Sequence, residues 1–417
     1  MSVLTPANRT VVILILGSLS AIAPFAIDMY LPGFPAIADD FNTTVDAVSY
    51  SLSSFFFGVC FGQIACGPLL DRFGRKRILY AGLVIFILAS VACAFATSIE
   101  ALIFFRLIQA LGGCVSMVAP RAIVRDLFPV EENAKVFSLL ILILGVSPIL
   151  APTIGSYVIS TFGWNYVFVI LAVVTTLVLM AVIFRLPESR QPDPDFSLKP
   201  GPIAANFIFV IRNPQFYTHA FAGGVASAGL FAYLAGSPFV FMKYFGVTEQ
   251  QYGGIFSLIA SGLIVSSQLN TFLLRRFSSA QLLKRVLIFQ VTAGVLLVTG
   301  TAFGVLGLYG TVFVIFLFLG CQGFIFPNSA ALSMAPFSKE AGSASALMGA
   351  LQMGLASLSA AAMGFFNAKS PLPMTGIMSL CTILGLIILL IGNRHIRFHR
   401  ERAVDVREQT LDLIEKY

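Results

Sequence analysis

The stretch "GPLLDRFGRKRIL", Gly67 to Leu79, joins two long apolar runs, and its reading decides how the rest of the chain is laid out. Gly67 permits a close helix approach and Gly74 a tight turn, because neither carries a Cβ. Asp71 can cap or pair, while Arg72, Arg75, Lys76 and Arg77 crowd cations just beyond it. Between lipid-soluble segments, such a cluster reads as a short loop anchored at the cytoplasmic face of a membrane.

Composition agrees. Of 417 residues, 58% are hydrophobic and 11% charged, with a mean hydropathy of +0.91. A soluble domain carries about 25% charged residues, so lipid must be the solvent for much of this chain. The formal charge of +7 does not point to nucleic acid, because the cations sit in short clusters between apolar runs. Cys60, Cys66, Cys93, Cys114, Cys321 and Cys381 all fall inside apolar runs and read as small buried hydrophobes. With only three scattered histidines, no metal site is expected. The first apolar stretch, Val11 to Ala26, is followed by an acid and prolines rather than a cleavage site, so it reads as a retained span.

A membrane helix needs about 20 mostly apolar residues. Candidates lie near 10–33, 46–70, 77–97, 100–122, 135–160 and 163–186, then near 215–241, 252–274, 283–305, 308–330, 341–366 and 372–393. The fold class is therefore all-α integral membrane, with twelve transmembrane helices in two pseudo-symmetric six-helix bundles. Residues 1–186 form the first bundle, 187–214 a cytoplasmic linker, 215–393 the second bundle and 394–417 a basic tail. Within the linker, "IAANFIFVI" reads as a short helix on the membrane surface. With the N-terminus inside, 22 Lys and Arg fall on the inner side, two on the outer side, and two (Arg106 and Arg121) within spans. Both termini are then cytoplasmic. "PLLDRFGRKRIL" recurs as "FLLRRFSSAQLL" 204 residues later, each copy closing the second span of its half. Two parallel halves with a site between them suit a rocking transporter.

Charged residues inside spans mark function by default. Asp28 lies in "PFAIDMYLPGFP", Pro24 to Pro35, and Arg106 in "FFRLIQALGGC", Phe104 to Cys114. Counted from the start of its helix, Arg106 sits about 10 Å deep, too far for easy snorkelling past Leu102 to Phe105. Gln109 and Gly113 share its helix face. The reading makes Asp28 the proton-binding group and Arg106 its electrostatic partner. The alternative for Asp28 is a cap on the helix that follows. Ser147 to Val158, "SPILAPTIGSYV", carries Pro148, Pro152 and Gly155, which can bend a helix at a packing contact. Aromatic and amide groups from both halves are candidates for a substrate cavity: Phe25, Tyr30, Gln109, Phe231, Tyr233, Gln322, Asn328 and Gln352. No cluster of acid, base and metal-binding groups shares one depth, so an enzyme is not expected.

The loop G-x-L-x-D-R-x-G-R-K at Gly67 to Lys76 resembles the signature loop of the major facilitator superfamily. The Arg106–Gln109 pattern resembles the fourth-span motif of proton-coupled members. Ala151-Pro152-x-x-Gly155-Ser156 resembles the antiporter motif of the fifth span, with two of its glycines replaced. Ile27 to Phe41 and Gly323 to Met353 resemble the bicyclomycin and chloramphenicol resistance branch, Bcr/CflA. The resemblance implies a bacterial inner-membrane monomer exporting small toxic drugs in exchange for protons, without cofactor, metal or nucleic acid. It also implies a gate. Gly67, Asp71, Arg72, Gly74 and Arg75 would form a conformational latch, with Asp71 facing the span-11 terminus at Ala341 to Ser343. Arg72 or Arg75 would meet Asp126, and Pro148, Pro152 and Gly155 would complete the gating set. The repeat carries Arg275 where Asp71 stands, so the latch is expected in one half only. A proton-coupled or passive nutrient or metabolite transporter of the same superfamily is the competing reading.

Overall fold

The computed structural model describes residues 6–128, 130–193, 200–337, 341–366 and 369–415, and within them the side chains except those at 6–8, 130–135, 138, 141, 200, 202–203, 341 and 397–415. Twelve helices among the described residues are long and apolar enough to cross a membrane. In chain order the helices are α1 (Pro6–Asp28), α2 (Phe34–Asp40), α3 (Val45–Phe73), α4 (Arg75–Ala94), α5 (Ile99–Leu127), α6 (Val130–Phe162), α7 (Asn165–Arg185) and α8 (Pro200–Ile211). Then come α9 (Pro214–Pro238), α10 (Glu249–Leu273), α11 (Ser279–Ala302), α12 (Leu308–Gly320), α13 (Gln322–Met334), α14 (Ala341–Gly364) and α15 (Leu372–Glu415).

The helix starts are written locally. Thr44 and Ser98 accept hydrogen bonds from the amides of Ala47 and Ala101, satisfying donors that the first turn leaves open. In the second bundle Thr248 with Gln251, and Ser278 with Gln281, form capping boxes at the starts of α10 and α11. Between α3 and α4 the chain turns on Gly74 alone, at φ +86°, a conformation that suits glycine.

Four spans depart from the expected boundaries. The first does not end at residue 33. Its helix stops at Asp28, passes through a 3-10 turn (Leu31–Gly33) and resumes as α2, so the crossing extends to Asp40. Pro32 and Pro35 lack the N–H groups a continuous helix would need. The seventh span ends in a π-helical turn, Phe239–Tyr244, and the tenth is divided at Cys321 into α12 and α13. Beyond residue 393, where the last span was expected to end, α15 continues to Glu415; the tail's side chains from 397 onward lie outside the described ones. The expected surface helix is α8. Its Val210 packs with Phe216, Phe337 and Ala344, and its Ile208 and Phe209 stay exposed.

Apolar side chains such as Leu88, Leu177, Phe184, Val265 and Leu358 point outward from the helices, the arrangement lipid requires. Inside, the halves meet along two seams, α3 with α14 and α6 with α10. Ser53 with Ser357, Tyr50 with Phe365, Thr153 with Ser257 and Asp39 with Lys243 bridge them. These contacts lie toward the bundle end opposite the linker. At the linker end, no ion pair joins the halves among the described residues.

Candidate transport site and gate

Asp28 is the last residue of α1 and only 5% exposed. The capping alternative does not hold, because neither the 3-10 turn nor α2 receives a side-chain cap bond. Gly155 of α6 brings its helix onto the break, where any Cβ would overlap the Met29 carbonyl oxygen. That close approach fixes where the chain turns after Asp28. The carboxyl group has no hydrogen bond or ion pair among the described residues. From the other half, the phenols of Tyr233 on α9 and Tyr252 on α10 lie near enough to feel its charge.

Arg106 is fully buried, but it does not form the expected ion pair with Asp28 in this conformation. Its guanidinium donates to the Ala26 carbonyl at 3.0 Å and to the Gln109 side-chain oxygen. It also lies over the rings of Phe55 and Tyr30, at 4.2 and 4.4 Å from their centroids. The guanidinium thus docks on the main chain at the α1 terminus and not on the Asp28 carboxyl. Ala26 belongs to the last turn of α1, whose carbonyls lack helical partners and carry the negative end of the helix dipole. Arg106 therefore caps α1 from across the bundle. Gln109 passes the tie on to Ser90 at 2.7 Å, and Ser90 donates to the Phe86 carbonyl.

The second half repeats the device without a charge. Gln322 of α13 donates to the Ala226 carbonyl of α9 and accepts from Ser227. In both halves, the fourth span is tied to a main-chain carbonyl of the first by a buried polar side chain.

These ties correct part of the expected cavity lining. Tyr30 bonds Ser51 and packs on Phe168, inside the first half. Gln109 and Gln322 are committed as described, and Asn328 donates to Asn270 and to the Phe324 carbonyl. Buried polar groups need such partners, and each of these four finds them within its own half. Phe231 does face the other half, meeting Phe56 edge-on at 4.9 Å. Phe25 and Gln352 are half-buried. Tyr233 is buried, and its hydroxyl has no hydrogen-bond partner.

At the linker end, Arg75 rather than Arg72 reaches Asp126, at 2.9 Å, and it also holds Asp71 at 3.0 Å. Asp71 takes its second cation from Arg190 of the linker, at 3.1 Å. No contact of Asp71 with the start of α14 is found among the described side chains; that of Ala341 lies outside them. The chain just after α7 straps across this cluster. Glu188 accepts from the first amides of α4, those of Arg75 and Lys76, while Ser189 donates to Asp126 and Arg72 to the Asp193 carbonyl. A carboxylate at a helix N-terminus is favoured by the dipole. Gly67 faces open space. Pro148 and Pro152 lie inside α6 without breaking it. In the repeat, Arg275 has no acidic partner among the described residues and lies over Phe272.

Sequence reasoning missed Tyr252, Ser237, Ser51, Phe55, Phe168 and the Glu188–Arg190 strap. The strap followed a span directly as Pro-Glu-Ser-Arg and read only as linker polarity. The others carry no local signal, being single polar or aromatic residues in apolar runs.

The sequence profile of the Major Facilitator Superfamily matches residues 16–361. A bicyclomycin resistance protein homolog of Haemophilus influenzae is 29% identical over 375 residues, 90% of this chain and 94% of that protein. An uncharacterized MFS-type transporter of Bacillus subtilis, YdgK, is 31% identical over 388 residues, 91% of this chain and 95% of that protein. The multidrug resistance protein MdtL of Escherichia coli O81 is 30% identical over 375 residues, covering 88% and 92%. Among solved structures, a D-xylose-proton symporter superposes with a TM-score of 0.71 at 15% identity, covering 92% of this chain and 97% of that one. A bacterial homolog of the human lysosomal transporter Spinster, inward-facing and occupied, gives 0.70 at 15% identity, covering 93% and 96%. With twelve spans in two tied halves and a profile match over most of its length, the chain belongs to the Major Facilitator Superfamily of transporters.

Proposed function

We propose that this transporter exports small toxic compounds, of the chloramphenicol or bicyclomycin kind, in exchange for protons. The observation that carries the reading is the placement of Asp28, a buried acid at the break of the first span, facing the second half at the seam where the halves meet. A carboxylate shut between helices is opposed by desolvation. Proton binding removes that cost, so the halves close over a protonated Asp28 and part from an ionised one. A drug arriving from the open end favours proton loss, directly when cationic and by shape when neutral. The names of the relatives, bicyclomycin and multidrug resistance, support drugs as the cargo class.

The cation distribution supports the orientation. Of 26 Lys and Arg, 22 lie on the side of the linker and both termini, which is then the cytoplasmic side of a bacterial inner membrane. The polar contacts that join the halves lie toward the end opposite the linker, which this orientation makes the outer one, and that supports a form that accepts cargo from the cytoplasm. It works as a monomer, with the proton gradient as its drive and no cofactor.

A susceptibility panel in an efflux-deficient host tests this. The chain should raise resistance to at least one drug, and Asp28→Asn should abolish that gain. Equal resistance from both forms would remove proton exchange at Asp28, and no resistance to any drug would remove drug export.

A further inference from the structure

We infer that Tyr233 and Tyr252, with Ser237 behind them, are positioning residues through which the second half senses whether Asp28 carries a proton. The inference rests on the reading of Asp28 given above and adds the group that answers it.

Three observations converge. Tyr233 is 1% exposed, yet its hydroxyl has no hydrogen-bond partner. Native interiors rarely leave such a group unpaired, and each case calls for an explanation. Tyr252 is fully buried, and its hydroxyl shares one bond, 2.8 Å, with Ser237. A phenol can both donate and accept, so that bond leaves the other capacity of Tyr252 unused. Asp28 has no hydrogen bond or ion pair among the described residues, and both phenols lie near enough to feel its charge. Helices α9 and α10 both pack against the 3-10 turn that begins three residues after Asp28.

The phenols are also held in place. Both stack near Phe256, with centroids 5.7 and 6.1 Å away, and Tyr252 lies against Phe241. Such packing fixes the rings before the acid arrives. The remaining titratable groups around Asp28 are Arg106 on α5, whose terminal nitrogens are committed to Ala26 and Gln109 while its Nε has no hydrogen-bond partner among the described residues, and Tyr30, committed to Ser51. The α6 face meets the break at Gly155, against the Met29 carbonyl, and the α7 face packs Phe168 on Tyr30.

A protonated carboxyl can donate one hydrogen bond and accept others, matching two phenols of unused capacity. An ionised one accepts only, and it lies at the negative end of the α1 dipole. The tyrosines thus add hydrogen bonds to the closed, protonated arrangement and little to the open one. Removing either hydroxyl weakens closure without removing the proton site.

The test follows closure at the outer end in the purified full-length chain, without drug. Spin labels on Asn42→Cys and Phe303→Cys, at exposed positions in the two halves, report the distance across that end as pH is varied. The six native cysteines are buried or half-buried. Closure should increase as pH falls, with a defined midpoint, and Asp28→Asn should abolish the pH dependence. Tyr233→Phe and Tyr252→Phe should each move the midpoint down by about half to one pH unit, the three- to tenfold change that one hydrogen bond supplies. Ser237→Ala, which leaves both phenols intact, should move it less. A merely structural role would lower folded yield without moving the midpoint. Midpoints of both Tyr→Phe variants equal to the parent's would overturn the inference while leaving Asp28 in place. A parent chain with no pH-dependent distance would overturn the Asp28 reading itself, and the inference with it.

Discussion

Ser53 and Ser357, 304 residues apart, exchange hydrogen bonds across the seam between the halves, each hydroxyl donating to the other's main-chain carbonyl at 2.8 and 2.9 Å. The two hydroxyl oxygens are 3.2 Å apart. Helices meeting through serine and glycine approach closely and part without exposing large apolar side chains. Thr153 with Ser257, and Gly253 beside Ser156, give the α6–α10 seam the same character. A transporter that must open here repeatedly needs a seam whose contacts are short and replaceable.

Cysteines at both positions, Ser53→Cys with Ser357→Cys, should therefore cross-link under mild oxidation, since disulfides need Cβ atoms about 3.8 Å apart. Transport into inverted vesicles should fall at least tenfold in the oxidised protein and return on reduction. Each single variant should transport normally under both conditions. Free transport by a fully cross-linked chain would show that the seam does not open during the cycle.

Gly155 is the contact that sets the break after Asp28. Gly155→Ala pushes a methyl group into the Met29 carbonyl, and relief requires moving the backbone of one helix. Transport should drop tenfold or more, with thermal stability lowered by about 1–3 kcal/mol. Gly254→Ala is the control. Nothing lies near its Cβ position, and alanine in a helix interior is favoured by about 0.5–1 kcal/mol.

At the linker end the ion pairs differ in burial, and their worth should differ with it. The Arg75 and Asp126 side chains are 7% and 19% exposed, whereas Arg190 is 45% exposed. Asp126→Ala leaves a buried guanidinium with only one carboxylate, and should cost about 3 kcal/mol in thermal or denaturant unfolding. Arg190→Ala should cost less than about 1 kcal/mol. Glu188→Gln, which weakens the cap on α4, should fall between them. The ranking is the test, and a Arg190→Ala loss as large as that of Asp126→Ala would contradict it.

Spans and the linker helix were legible because hydropathy over a long window is a bulk property of each segment. Even so, prolines at 32 and 35 hid a crossing that resumes as α2 rather than ending. At the site, Asp28 and Arg106 stood out as charges in lipid, but not the direction in which each points. A one-dimensional reading pairs opposite charges at similar depth. The folded chain instead holds the guanidinium's terminal nitrogens at a helix terminus and an amide, with three aromatic rings around it. Partners drawn from main-chain carbonyls leave no residue-type signature, and neither do hydroxyls such as Ser237 that act through a neighbour.

That difference yields the sharpest test of the site. If Arg106 were stabilised chiefly by Asp28, removing both charges would restore much of the stability lost by removing one. In this arrangement Arg106 instead caps α1 and holds Gln109, so Arg106→Gln should destabilise with or without Asp28. Thermal unfolding of Asp28→Asn, Arg106→Gln and the double variant forms a complete cycle. The coupling should be within about 0.5 kcal/mol, the value for residues that share no partner. Arg106→Lys keeps the charge at the helix terminus but cannot fork to two acceptors. It should recover part of the stability lost by Arg106→Gln, about 1 kcal/mol for one charge–dipole contact, without restoring transport. A coupling above about 2 kcal/mol would instead place Asp28 as the partner that holds the arginine in the membrane.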